Sequence, residues 1–226
     1  MNIEHKIHLA KALKERGNYT KSEIKELINQ NRVLVNNKIE TLSYIVKVND
    51  IITVDNVVLD KVSKVYYLYH KPVGVICTNK REIENSIVNK LKFNQRVFCV
   101  GRLDKDTSGL IILTNDGLFS NSLMNPNSLI EKEYIVKVKY PITEEFIHNM
   151  EKPIILRGKH TLPASVKKLD DFTFKIIITE GKYHQIRRLV VYNKNTVVAL
   201  KRIRIDKYNL SDLKENEIRE FKIGDN

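Results

Sequence analysis

Asp104 stands between two cations, Arg102 and Lys105, inside the glycine-bounded run GRLDKDTSGLIILTNDG from Gly101 to Gly117. The apolar stretch Leu110 to Thr114 reads as a short strand, and Asn115-Asp116-Gly117 reads as the turn that ends it. Asp104 is therefore expected on a loop carried by a rigid strand, the usual setting for catalytic groups. The competing reading from spacing alone is one arm of an ordinary solvated ion pair. Asp106 invites a paired-carboxylate reading, hence glycoside or nucleoside hydrolysis. That chemistry needs two acids roughly 5 to 9 Å apart, a separation that two loop positions do not define. His160 and His184 invite a general base or metal ligands, but neither lies in a recognisable ligand spacing, so no metal is expected.

The elements that must position these groups divide into two parts. At 226 residues the chain can bury one good core or two unequal ones, and two are expected. Residues 1–58 read as one compact unit. Ile7, Leu9, Ala10, Ala12 and Leu13 give a helix over Lys6 to Arg16, ended by Gly17. Thr20 caps a second helix, Glu23 completes a capping box, and Ile24, Leu27 and Ile28 form the inner stripe. Val33 to Val35 and Ile39 flank an Asn36-Asn37 turn, and Tyr44 to Val54 adds strands broken at Asn49-Asp50.

A hinge is expected between Asn56 and Ser63, with the second domain over residues 64–226. There, strands are expected at Val65 to Leu68, Val73 to Cys77, Leu110 to Thr114, Tyr134 to Val138, Phe172 to Thr179 and Val197 to Ile205. Helical spacing covers Thr143 to Met150 and Gln185 to Tyr192, and the tail after Phe221 is expected to fray. The fold class is α+β, with a mixed, mainly antiparallel sheet in the second domain.

Composition narrows the partners. Lys and Arg total 39 against 27 Asp and Glu, a net charge of +12, which points to a polyanion bound by phosphate neutralisation. Residues 1–58 carry 9 basic and 7 acidic groups, net +2, whereas the remainder carries 30 and 20, net +10. The excess sits with Asp104. No apolar run approaches the roughly 20 residues of a membrane span, and MNIEHKIHLA is too polar and acidic for a signal peptide, so a cytoplasmic protein is expected. Cys77 and Cys99 have no C-x-x-C spacing and read as buried thiols.

The Gly101 to Leu110 segment resembles the catalytic motif G-R-L-D-x-x-T-x-G-L of the RsuA/RluB/RluE/RluF family of RNA pseudouridine synthases, matching at Gly101, Arg102, Leu103, Asp104, Thr107, Gly109 and Leu110. Further blocks resemble the family in order. They are HKPVGVICT from His70, where His70 replaces the usual Asn, KEYIVKV from Lys132, LPASV from Leu162, EGKYHQIRRLV from Glu180 and VVALKRIRI from Val197. The first unit resembles the alpha-L (S-four-like) RNA-binding domain. His8 falls where the pattern R-L-x-K-x-L carries arginine, so one phosphate contact is weakened, while Lys11 fills the pattern's lysine and Lys21, Lys25 and Arg32 spread along the helices as RNA contacts.

The resemblance implies isomerisation of a uridine in ribosomal RNA without cofactor. Asp104 is then the catalytic carboxylate, either attacking the ribose or taking a sugar proton. Arg187 is implied as its cationic partner, since a closed pocket otherwise favours a protonated acid. Tyr134 is implied as the surface that receives the everted base, although its alternation with Val136 and Val138 alone reads as core. Arg102 joins these as a substrate contact, Arg188 is implied as a phosphate contact, and His184 is expected to touch RNA or fill structure. KEY and PITEEFI, Pro141 to Ile147, resemble RluF-like members more than RsuA, which points to large-subunit RNA. A monomer is expected. The alternative is a non-catalytic RNA-binding or ribosome-assembly protein; a base-removing hydrolase would release uracil.

Overall fold

The computed structural model describes residues 7–17, 19–80, 82–93 and 95–224. They form two compact units, the first of residues up to Lys64 together with residues 95–96, the second of residues 65–93 and 97 onward. The first contains β1 (Ile7–His8), α1 (Leu9–Arg16), α2 (Lys21–Asn29), β2 (Val33–Val35), β3 (Lys38–Ile39), β4 (Ile45–Val46), β5 (Ile52–Val54) and β6 (Val57–Val58). The helix expected from Lys6 begins only at Leu9. Ile7 and His8 pair instead with Val46 and Ile45, and Lys6 lies outside the described residues.

Gly17 does end α1, its N–H donating to the Leu13 carbonyl, but not for its tolerance of positive φ. A Cβ there would lie 2.1 Å from the Tyr19 ring, so a larger residue would have to displace that side chain. Thr20 and Glu23 form the reciprocal capping box of α2. Asn36 and Asn37 both adopt positive φ between β2 and β3, the geometry that a two-residue hairpin demands. Leu9, Leu13, Ile24, Leu27, Val33, Val35, Ile52 and Val54 close the core beneath both helices.

The second unit contains β7 (Tyr66–Lys71), α3 (Ile87–Leu91), β8 (Phe98–Val100), β9 (Ser108–Thr114), α4 (Gly117–Met124), β10 (Lys132–Val138), α5 (Glu144–Glu151), β11 (Ile155–Leu156), β12 (Lys159–His160), β13 (Ser165–Lys168), β14 (Thr173–Ile178), α6 (Gln185–Tyr192), β15 (Val197–Ile205), β16 (Tyr208–Asn209) and β17 (Ile218–Glu220). Among the described residues the main sheet runs β13-β14-β10-β15-β9-β7-β17, with β16 beside β15 and β8 beside β9. Its pairings are antiparallel except that of β9 with β15. The sheet is thus mixed and mainly antiparallel, and with its helices the protein is α+β.

β9 reads as a continuous apolar run because both its faces are buried. Ile111 and Leu113 enter one cluster with Val136, Phe174, Ile176, Leu189 and Val190, while Leu110 and Ile112 enter another with Val100, Leu123 and Ile205. Helices cover both sides. α6 packs Ile186, Leu189 and Val190 against the first cluster, which turns Arg187 and Arg188 away from the core.

The strand expected over Val73 to Cys77 is absent. Gly74 takes φ +91°, its N–H donates to Lys105 O at 2.8 Å, and only Ile76 makes an isolated bridge, to Ser86. This segment is a turn laid against the Asp104 loop, where a glycine conformation replaces sheet pairing. Asn115-Asp116-Gly117 ends β9 and also starts α4, a helix the sequence reading missed; Asp116 accepts from the amides of Leu118 and Phe119. The chain up to Phe221 is tied down, since β17 pairs with β7 and Phe221 N–H donates to Tyr66 O. No helix among the described residues is long and apolar enough to cross a membrane.

Candidate active site

The loop between β8 and β9 is held from several directions. Gly101 leaves β8 with φ +73°, where a Cβ would meet the Met124 sulfur at 2.9 Å. Leu103 N–H points at Cys77 Sγ, 3.5 Å away. Asp104 O accepts from Thr107 N–H at 3.1 Å, closing a tight turn, and Lys105 O takes the Gly74 amide. Ser108 and Gly109 then pair in parallel with Lys201 and Arg202. The carboxylate of Asp104 is consequently displayed by a rigid backbone.

That carboxylate opens into a cleft of about 490 Å³, lined by the 101–104 loop, by Lys132, Tyr134 and Ile178 from the sheet, by residues 181–187, and by Leu200 and Arg202. Asp104 and His184 side chains are 41% and 37% exposed, so both remain reachable from solvent. Tyr134 is only 8% exposed. It lies opposite Ile176 on β14 and Arg202 on β15, and belongs to the core cluster as well as to the cleft wall. Tyr134 is thus at once a core residue and part of the cleft wall.

Arg187 departs from the pairing that the resemblance implied. Its Nη2 donates to Asp106 O at 2.9 Å and lies 3.4 Å from Thr107 Oγ1, two and three residues past the carboxylate. The side chain that approaches the Asp104 carboxylate is instead His184, Nε2 to Oδ1 at 3.5 Å. His184 can reach it because it precedes α6 in a left-handed conformation, φ 51°. Arg187 thus braces the loop while facing the same cleft. Arg102 is exposed at the cleft lining, and Arg188 lies with its guanidinium 5.3 Å from the Tyr183 ring centroid.

Buried cations lie under this surface. Lys71 is fully buried, with Nζ donating to Pro72 O and Val75 O; burial lowers its pKa, while the charges of Cys77 and Asp104 oppose the shift. Arg202 is 3% exposed and donates Nε–H to Leu110 O at 2.8 Å. Burial, and then the nearby Arg202, lower the pKa of Lys132. The Cys99 thiol, the Leu103 amide and the charges of Lys71 and Arg202 lower the Cys77 pKa against the opposing effect of burial, whereas the hydrogen bond with Cys77, burial and the Cys77 charge raise that of Cys99 against Arg202 and Arg102. Cys77 is buried and Cys99 half-buried, both as free thiols.

Lys71, His184 and Arg202 were not assigned to the site from sequence. Arg202 carried a usable signal, since it falls on the inward register of β15 with Leu200. His184 lies in the EGKYHQIRRLV block and was expected to touch RNA or fill structure, but its approach to Asp104 depends on a left-handed backbone that local spacing does not announce. In the first unit Lys11, Lys21 and Lys25 are exposed, Lys11 lying 3.9 Å from Glu15. Arg32 is held in a fork by Asp55, at 2.7 and 2.6 Å, and His8 bonds Ser43 O through Nδ1.

The family profile described as RNA pseudouridylate synthase matches residues 65–192, and that of the S4 domain matches residues 9–52. The chain is 35% identical over 218 residues to the dual-specificity RNA pseudouridine synthase RluF of Escherichia coli K12, covering 95% of this chain and 75% of that one. It is also 35% identical to ribosomal large subunit pseudouridine synthase B of Bacillus subtilis, covering 94% and 91%, and 32% identical to ribosomal small subunit pseudouridine synthase A of Pasteurella multocida, covering 94% and 95%. A crystal structure of a pseudouridylate synthase superimposes with a TM-score of 0.68 at 30% identity, covering 96% of each chain. The chain thus belongs to the RNA pseudouridine synthases carrying an S4 domain.

Proposed function

We propose that this protein isomerises a specific uridine of ribosomal RNA to pseudouridine in the cytoplasm, as a monomer, with Asp104 as the reacting carboxylate. The observation that carries the reading is the placement of Asp104, half exposed, in one cleft with Tyr134, Arg102 and Arg187. The reaction breaks the C1′–N1 bond, turns the uracil and joins C1′ to C5. The C5 proton leaves and N1 gains one, so atoms balance without a co-reactant. Asp104 supplies the negative charge that either attacks the ribose or removes a sugar proton as positive charge builds on the ring.

The target nucleotide must leave its stack to reach Asp104. Tyr134 receives its uracil, and Arg102 and Arg187 hold its polar edges and phosphate. Arg187 bonds Asp106 O and faces the cleft, so it couples substrate binding to the position of the Asp104 loop. Arg188 contacts backbone phosphate outside the cleft, and Lys11, Lys21, Lys25 and Arg32 do so from the S4 unit. Large-subunit RNA is the reading supported by the RluF-like KEY and PITEEFI blocks and by the relative named for large-subunit synthase B.

The test deletes the gene, maps pseudouridines in ribosomal and transfer RNA by carbodiimide adducts and primer extension, and restores wild type or Asp104→Asn. One ribosomal site is expected to vanish, to return with wild type and to stay absent with Asp104→Asn. Its return with Asp104→Asn overturns the catalytic assignment. An unchanged map favours an RNA-binding role alone.

A further inference from the structure

The cleft carries an aromatic surface that the isomerisation itself does not use. Tyr183 is 57% exposed at its rim. It stacks on His184 with ring centroids 3.9 Å apart and planes 15° from parallel. The guanidinium carbons of Arg157 and Arg188 lie 4.7 and 5.3 Å from the Tyr183 centroid.

This surface is held in place rather than loosely attached. Gln185, 3% exposed, accepts from Lys182 N–H and donates to Glu180 Oε1, which closes the 180–185 loop beneath the tyrosine. His184 joins the stack to Asp104 through its 3.5 Å contact. Two aromatic rings and two guanidinium groups therefore lie together beside the reacting carboxylate.

Everting a uridine strips its neighbours in the RNA of a stacking partner. A preformed ring surface beside the cleft offers them a replacement, and guanidinium groups at its edge suit phosphates or stack in their own right. Resting on the uridine-isomerising reading of the cleft, we propose that Tyr183 and His184, edged by Arg157 and Arg188, form a stacking platform for an unpaired nucleotide adjacent to the target uridine. Every base has a π face, so the platform selects for an unpaired, flexible flank rather than for base identity.

The test compares wild type, Tyr183→Ala and Tyr183→Phe on a ribosomal RNA fragment containing the mapped uridine, with each flanking nucleotide replaced in turn by an abasic ribose or by 5-iodouridine. Wild-type turnover of the unmodified fragment comes first; without it the uridine reading fails, whatever the platform does. Given turnover, Tyr183→Ala is expected to raise KM about tenfold or more, and Tyr183→Phe, which keeps the ring, to restore it. An abasic residue at one flanking position should cost wild type a similar factor and cost Tyr183→Ala little further. Irradiated 5-iodouridine at that position should crosslink to the peptide holding Tyr183 and His184. An unchanged KM in Tyr183→Ala, equal abasic penalties in both proteins, or crosslinks only to another surface would overturn the platform.

Discussion

Gly109 and Arg202 are packed backbone to backbone so closely that a Cβ on the glycine would lie 2.1 Å from the Arg202 carbonyl oxygen and 2.5 Å from its nitrogen. The same parallel contact joins β9 to β15, and so joins the strand that carries the Asp104 loop to the strand that supplies Leu200 and Arg202 to the cleft.

Gly109→Ala is therefore expected to cost about 3 kcal/mol or more, because it adds a clash against backbone to a φ of +110°. Urea unfolding measures it. A midpoint matching wild type would show that β9 and β15 can separate at no cost.

Asp104→Asn is expected to divide activity from stability. The Asp104–His184 contact joins two side chains about two-fifths exposed, so its loss should change stability by less than about 1 kcal/mol. Turnover of ribosomal RNA should fall by about a thousandfold or more. Activity within tenfold of wild type would remove Asp104 from the chemistry.

Glu133, next to Tyr134, reports on acid stability. Burial pushes its carboxyl up, but the hydrogen bonds from Lys175 at 2.8 Å and Arg204 at 2.6 Å outweigh that and hold it below the usual 4.5. A depressed folded value stabilises the protein above the unfolded value, and the gain is lost as pH falls from there through the folded value. Glu133→Gln should cost about 2 kcal/mol at pH 7, and the gap should close in acid. Urea midpoints across pH 7 to pH 3 read this directly; a gap constant with pH would contradict it.

Lys21 and Lys25 lie exposed on α2. If both neutralise phosphates, Lys21→Ala/Lys25→Ala should reduce the slope of log K against log salt by about 1.5. An unchanged slope in fluorescence anisotropy titrations would take these lysines off the RNA.

Much of the local structure could be read directly because short-range chemistry decides it. The capping box at Thr20 and Glu23, the Asn36-Asn37 turn, the helix over Gln185–Tyr192 and the strand over Val197–Ile205 each follow from neighbouring residues. Five ordered blocks likewise marked the family. Val73 to Cys77 misled because its apolar content resembles a strand, whereas the Gly74 amide is claimed by Lys105 O far along the chain.

Amino-acid order alone thus announced most of the helices and strands, though not α4 or the turn at residues 73–77, and which loop bears the carboxylate. Tertiary packing decided the company that carboxylate keeps. β9 against β15 and β15 against β10 bring Asp104, Arg202 and Tyr134 to one cleft, and the left-handed turn at His184 sends histidine to the carboxylate while Arg187 grips the loop backbone. Hydrogen bonds and packing between distant segments have no local spacing to announce them, because they depend on where the whole sheet places each backbone.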